Sequence, residues 1–278
     1  MTSTDRGGAA RELLAFYREA GVDALLEETP TDRFASDRPS AVPAPRAEAA
    51  RAKGEASSAR AAPTRELPGR VAAAVAVSPE AAVMAAREAA KSAGSLEELR
   101  ALLERFEGCA LRTTATQLVF ADGNPQARVM FVGEAPGRDE DIEGLPFVGR
   151  SGKLLDRMMA AIGLDRTSAY IANIVPWRPP GNRTPTQQES AICLPFMLRQ
   201  IELADPDILI CLGNPSTQTL LNSKDGILKT RGRWFSFHTG TREIRAMATL
   251  HPAYLLRQPL QKRLAWRDFL AIKKALAT

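Results

Sequence analysis

Residues 128–156, RVMFVGEAPGRDEDIEGLPFVGRSGKLLD, restrict the fold of this chain most sharply. From Arg128 to Gly133 the apolar residues follow one another without polar alternation, the pattern of a strand buried on both faces. Gly133 and Gly137 then bracket Glu134, Ala135 and Pro136, so the backbone can turn sharply at the carboxyl end of the strand, where α/β sheets bind ligands. An acidic loop follows, with Asp139, Glu140, Asp141 and Glu143. A Pro146-Phe147-Val148-Gly149 turn comes next, and apolar positions recur at helical spacing from Leu154 to Ile162. Taken singly, the Gly-rich turn is as well explained by chain reversal and the acids by a solvated loop. Gly149 to Lys153 has the look of a phosphate loop, but that motif requires glycine at position 147 and a hydroxyl at 154, where Phe147 and Leu154 stand. A nucleoside triphosphate site is therefore disfavoured.

The other segments extend the same grammar. Strands are expected at 169–175, 208–212 and 244–250, with helices at 78–92 and 96–106, the latter opened by a capping box from Ser95 to Glu98. Another helix is expected to start near Thr184, with Pro185 in its first turn and Gln187 completing the capping pair, and Pro195 should kink or end it. Strands alternating with helices predict an α/β fold: a three-layer sandwich with a central, mostly parallel four-stranded sheet flanked by helices. Before it, residues 1–27 carry apolar positions at amphipathic helical spacing. Residues 28–77 are rich in Ala, Pro and Arg with few large apolar side chains, the composition of a disordered linker. The domain bearing every motif then runs from 78 to 278.

The net charge of +5 and pI of about 9.3 tilt modestly toward a polyanionic partner. Three cysteines without even pairing, and no leader pattern, predict a reducing, cytoplasmic setting, nucleoid-associated in a bacterium. No apolar run approaches the roughly 18 residues needed to span a bilayer, so no membrane partner is expected.

Three further segments follow in order: YIANIVPWRPPGNR from Tyr170, ILICLGNP from Ile208 and TLHPAYLLRQP from Thr249. In this combination the chain resembles the uracil-DNA glycosylase superfamily, specifically its family 4 branch, from about Leu103 to the C-terminus. The resemblance implies a DNA-repair enzyme that flips uracil out of single- or double-stranded DNA and hydrolyses its N-glycosidic bond, leaving an abasic site. A monomer is expected. The alternative is a non-catalytic DNA-binding or damage-sensing module on the same fold. Residue by residue, Glu134 matches the acid that positions water or stabilises the sugar cation, and His251 the hydrogen-bond donor to uracil O2. Phe147 matches the stacking ring and Ala135 a backbone donor to the base. Asn173 matches the reader of the base edge, a role its carboxamide suits because it both donates and accepts. Glu140 is an accessory acid on this reading. Lys153, Arg178, Asn182 and Arg183 are expected at phosphates, and Leu255, Leu256 and Arg257 resemble the minor-groove wedge. His238, in the strand-like run WFSFH, is read as structural.

Family 4 members typically hold a four-iron, four-sulfur cluster on four cysteines. Alignment on the shared motifs puts those positions at Phe106, Cys109, Trp177 and Cys193, so only Cys109 and Cys193 match, and no cluster or other cofactor is expected. Cys211, in the apolar run ILICLG, reads as a buried structural thiol. The N-terminal helix is too short to stand alone in water and needs a surface, either its own domain or a protein partner.

Overall fold

The computed structural model describes residues 78–277, so the expected N-terminal helix (1–27) and linker (28–77) lie outside the described residues. Six strands form one sheet: β1 (Asp122–Gly123), β2 (Val129–Gly133), β3 (Tyr170–Asn173), β4 (Ile208–Leu212), β5 (Trp234–His238) and β6 (Glu243–Thr249), in the order β1-β3-β2-β4-β6-β5. The expectation of four strands is thus corrected to six. The four inner strands are parallel, whereas β1 on β3 and β5 on β6 pair antiparallel at the two edges. A two-residue strand has no periodicity to detect. In β5 only Phe237 is buried, so it lacks the doubly buried pattern that marks the inner strands.

The helices are α1 (Pro79–Ser92), α2 (Leu96–Arg105), α3 (Leu111–Thr114), α4 (Arg138–Glu143), α5 (Arg150–Ala160), α6 (Gln187–Ala204), α7 (Asn214–Leu221), α8 (Ile227–Thr230), α9 (Pro252–Arg257) and α10 (Lys262–Leu276). The period of two along each inner strand divides its side chains between two cores. Met130, Val132, Leu209 and Cys211 join the apolar faces of α1, α2 and α6. Val129, Phe131, Ile208 and Ile210 pack instead on Leu155 and Met159 of α5 and on Phe269 and Ile272 of α10. The Phe131 and Phe269 rings stack with centroids 6.0 Å apart. Burial of each such side chain contributes roughly 1.5–3 kcal/mol.

Several boundaries differ from the sequence reading for local reasons. The acidic loop is the short helix α4, because Glu140 and Asp141 turn inward to bond backbone and the remaining acids stay out. Helix α5 begins at Arg150, four residues before its apolar stripe. The cap of α6 is Thr186, with Glu189 closing the box, two residues after the expected pair. Pro195 lies inside a helix that runs on to Ala204. At α2 the Ser95 hydroxyl accepts from the Glu98 amide as expected, but the Glu98 carboxylate accepts from Gly94.

The topology selects the site. The chain passes from β2 to β3 on one side and returns to β4 on the other, so the carboxyl end of β2 is the point where the winding reverses, and a crevice opens there. Glu134 follows β2 directly.

Candidate active site

Asn173 ends β3 in register with Gly133, the last residue of β2. A Cβ added to Gly133 would lie 2.4 Å from Asn173 Oδ1 and 2.6 Å from Phe147 Cζ. Glycine at 133 therefore provides the space in which the carboxamide and the ring converge. Asn173 is 3% exposed, and its Oδ1 has no hydrogen-bond partner. The strand explains the position and not the missing partner, since a buried amide oxygen without a donor costs about 1–3 kcal/mol.

Phe147 is buried with φ of 56°, a left-handed conformation that a bulky side chain rarely adopts. Three features impose it. The Arg166 guanidinium donates to the carbonyl oxygens of Phe147 and, at 3.1 Å, Pro146, and is itself held by Asp122 and Asp156. Gly152 lets α5 approach so closely that a Cβ there would sit 1.6 Å from the Phe147 oxygen. Glu140 accepts from the amides of Gly137, Val148 and Gly149 at 3.0–3.1 Å, tying the turn after β2 to the turn that carries the ring.

His251 caps α9, and its Nδ1 accepts from the Ala253 amide at 3.1 Å, which leaves the ring proton on Nε2. Its ring lies 5.5 Å from that of Phe147, tilted by 32°. Burial, aided by the positive charge of Arg257, pulls its pKa down to about 4, so the imidazole is neutral near pH 7. Burial alone pushes the half-buried Glu134 carboxyl above its ordinary value, and Glu134 Oε1 also lacks a partner.

These groups line one cavity of about 540 Å³, together with Ala135, Glu140, Asn182, Arg183, Asn214, Tyr254 and Arg257. An adjoining groove of about 490 Å³ carries Arg138, Arg150, Ser151, Asn182, Leu256 and Arg257. The structure therefore brings Glu134, Ala135, Glu140, Phe147, Asn173, Asn182, Arg183, His251 and Arg257 together, and puts Leu256 in the groove beside them. Arg178 stands behind this surface, donating to Asn182 Oδ1 at 2.7 Å with Asp141 3.8 Å away. Arg183 forms a two-bond pair with Glu189, which draws the Glu189 pKa down to about 2. Lys153 is exposed on α5 and lines neither opening.

One expected contact is corrected. Leu255 is 1% exposed and packs with Leu250 and Ala265, because the segment is the helix α9 and that face turns inward; only Leu256 and Arg257 of the expected wedge are free to reach a ligand. Glu140, read as an accessory acid, is occupied as a brace. His238 is exposed at the end of β5 and accepts from the Gly240 amide. The sequence reading missed Arg166, Gly152, Arg150 and Asn214. Of these only Asn214 left a signal, since the Gly-Asn-Pro after β4 repeats the glycine, polar residue and proline of the turn after β2.

Residues 120–270, more than half of the chain, match the family model of the uracil DNA glycosylase superfamily. The chain belongs to this superfamily. It is 38% identical over 179 residues to the type-4 uracil-DNA glycosylase of Archaeoglobus fulgidus, covering 63% of this chain and 90% of that protein. Similarity to the type-4 uracil-DNA glycosylase of Saccharolobus solfataricus is 40% over 181 residues, covering 63% and 84% of the two chains. The corresponding figures for that of Thermotoga maritima are 41% over 156 residues, 56% and 80%.

The four positions that the family resemblance implies for cluster ligands lie together in the fold. Phe106, Cys109, Trp177 and Cys193 all belong to, or pack against, one apolar core. The Cys109 and Cys193 thiols lie in hydrogen-bonding contact, and that contact, with burial, pushes the Cys193 pKa up. Trp177 is 1% exposed, and the Phe106 ring meets Phe196 edge-on at 5.0 Å. Two thiols and two aromatic side chains do not supply the donor set of a four-cysteine cluster. The Cys211 thiol is buried in β4, and burial raises its pKa.

Proposed function

We infer that this protein is a DNA-repair uracil-DNA glycosylase, which takes uracil out of DNA into the cavity and hydrolyses its N-glycosidic bond, leaving an abasic site. One observation carries the reading: a buried carboxamide, Asn173, with an unpartnered acceptor beside a conformationally locked aromatic ring. Uracil presents N–H at N3 where cytosine presents a lone pair, so Asn173 Oδ1 accepts from uracil and repels cytosine. Phe147 stacks on the extruded base. The Nε2–H of His251 donates to O2, where charge grows as the uracil anion leaves, and Glu134 faces the sugar cation and water. Ala135 supplies a backbone donor. Asn182, Arg183, Leu256 and Arg257, with Arg150, meet the strand along the groove.

The histidine assignment has a pH signature. Because the folded His251 pKa lies below its ordinary value of 6.5, the native state binds fewer protons than the unfolded chain between 6.5 and about 4, so stability falls as pH drops through that window. His251 should contribute no limb at its ordinary pKa near 6.5, and the acid limb should come from Glu134, which must stay ionised and whose pKa burial raises above its ordinary value. Single-turnover rates from pH 4.5 to 8 check this. A limb centred near 6.5 that disappears in His251→Gln would contradict it.

The decisive assay incubates the full chain with uracil-containing single strands and G·U duplexes, followed by alkali. Cleavage at uracil supports the reading, and tight binding without cleavage favours the DNA-binding module instead. We further propose that the enzyme acts as a monomer in the cytoplasm, holds no iron–sulfur cluster, and needs only residues 78–278 for chemistry. Deleting residues 1–77 should leave the excision rate within about twofold, given that no motif precedes Leu103. A soluble, folded truncation without activity would refute that boundary.

A further inference from the structure

Among the described residues, three buried side-chain atoms lack a hydrogen-bond partner: Glu134 Oε1, Asn173 Oδ1 and Asn214 Oδ1. All three residues line the same cavity, and all three atoms are acceptors at neutral pH. Two other asparagine oxygens are occupied, that of Asn124 by the Gln126 amide and that of Asn182 by Arg178. Three unmet acceptors complement a ligand set that brings three donors. Uracil joined through N1 has a single N–H, at N3, and an internal deoxyribose offers no hydroxyl. Two acceptors remain, and one water has two O–H bonds.

We propose that Asn214 is a positioning residue for the hydrolytic water, which it holds jointly with Glu134. The inference rests on the glycosylase reading above. The sheet order supports the division of labour. Asn173 ends β3, Glu134 follows β2 and Asn214 follows β4 after Gly213, so the two amides flank the carboxylate from opposite sides. Gly213 lies against His251, where a Cβ would come within 2.9 Å of the His251 Cβ, so Asn214 enters the cavity on the side of the leaving-group donor. The base reader occupies one flank and the water holder the other. In the reaction the water oxygen bonds to C1′ as the C1′–N1 bond breaks and its electron pair departs with uracil. One water proton passes to Glu134 and on to solvent, and the uracil anion takes a proton from solvent. One water is consumed for each uracil and abasic site formed.

The test uses the full chain under single-turnover conditions on uracil-containing single-stranded DNA, with binding measured by anisotropy on DNA carrying non-cleavable 2′-fluoro-deoxyuridine. Asn214→Ala is expected to slow cleavage roughly 10- to 100-fold with an unchanged Kd. Asn214→Asp keeps the acceptor and loses the amide hydrogens, so at pH 8 it should restore most of the rate. Glu134→Gln with Asn214→Ala should lose less than the product of the two single losses, because both act on one water. A weaker Kd at unchanged rate, a wild-type rate in folded Asn214→Ala, no recovery in the aspartate variant, or multiplicative losses would each overturn the proposal while leaving the glycosylase reading standing. A wild-type protein that releases no uracil would overturn both.

Discussion

Asn173→Asp is expected to lower uracil excision by roughly 100-fold or more while the protein stays folded. On the proposed reading the amide nitrogen donates to uracil O4; in the variant it becomes a carboxylate oxygen, so an attraction turns into a repulsion between acceptors inside a cavity. A site built to pair with a polar edge rejects a mismatch by far more than an apolar pocket rejects an extra methylene, and each unmet buried group costs about 1–3 kcal/mol, where 1.4 kcal/mol is tenfold in rate. Stability should fall far less than activity, although a carboxylate at this 3% exposed position carries a desolvation cost. Asn173 Oδ1 makes no bond within the protein, and its neighbours at Gly133 and Phe147 accommodate an isosteric side chain. Single-turnover rates on uracil-containing DNA, with thermal melts of both proteins, measure the two effects separately. Wild-type rates in the variant would remove Asn173 from the role of base reader.

Trp177→Ala is expected to destabilise the domain by about 3–5 kcal/mol. The indole is 1% exposed in the core that also contains Cys109 and Cys193, and Phe106 packs against the same cluster. On the proposed reading without a cluster, the loops that a four-cysteine cluster would tie by coordination are tied by packing, and removal of the largest side chain there leaves a cavity in a close-packed core. The same argument predicts that chelators do not lower the melting temperature and that anaerobically purified protein carries no stoichiometric iron or sulfide. Urea unfolding of the variant, metal analysis and a visible spectrum check these outcomes. Stoichiometric iron with a loss of stability on chelation would show that other donors complete the set.

Much of the site was legible because its chemistry is carried by residue types at strand ends. Glu134, Asn173 and His251 each follow or end an apolar run, and a parallel sheet gathers the carboxyl ends of its strands on one side. The run from Tyr170 to Val175 marked Asn173 as a polar residue lodged among apolar ones, and in the structure its Oδ1 has no partner. Leu255 was misread because leucines four and five residues past His251 look the same in a loop or a short helix. Which side chain turns inward is decided by the phase of α9 against Leu250 and Ala265.

The sequence by itself determined the parallel inner strands, through their unbroken apolar runs, and, through the resemblance of four ordered motifs, the superfamily and the residues proposed for the site. Tertiary structure alone decided the rest. Arg166 reaches the Phe147 turn from 19 residues away, Gly152 matters because α5 presses on a carbonyl, and Glu140 is a brace because three amides converge on it. Packing also set the His251 tautomer and left Asn214 facing the cavity without a partner. Each depends on distances between segments remote in the chain, and no pattern along one segment encodes them.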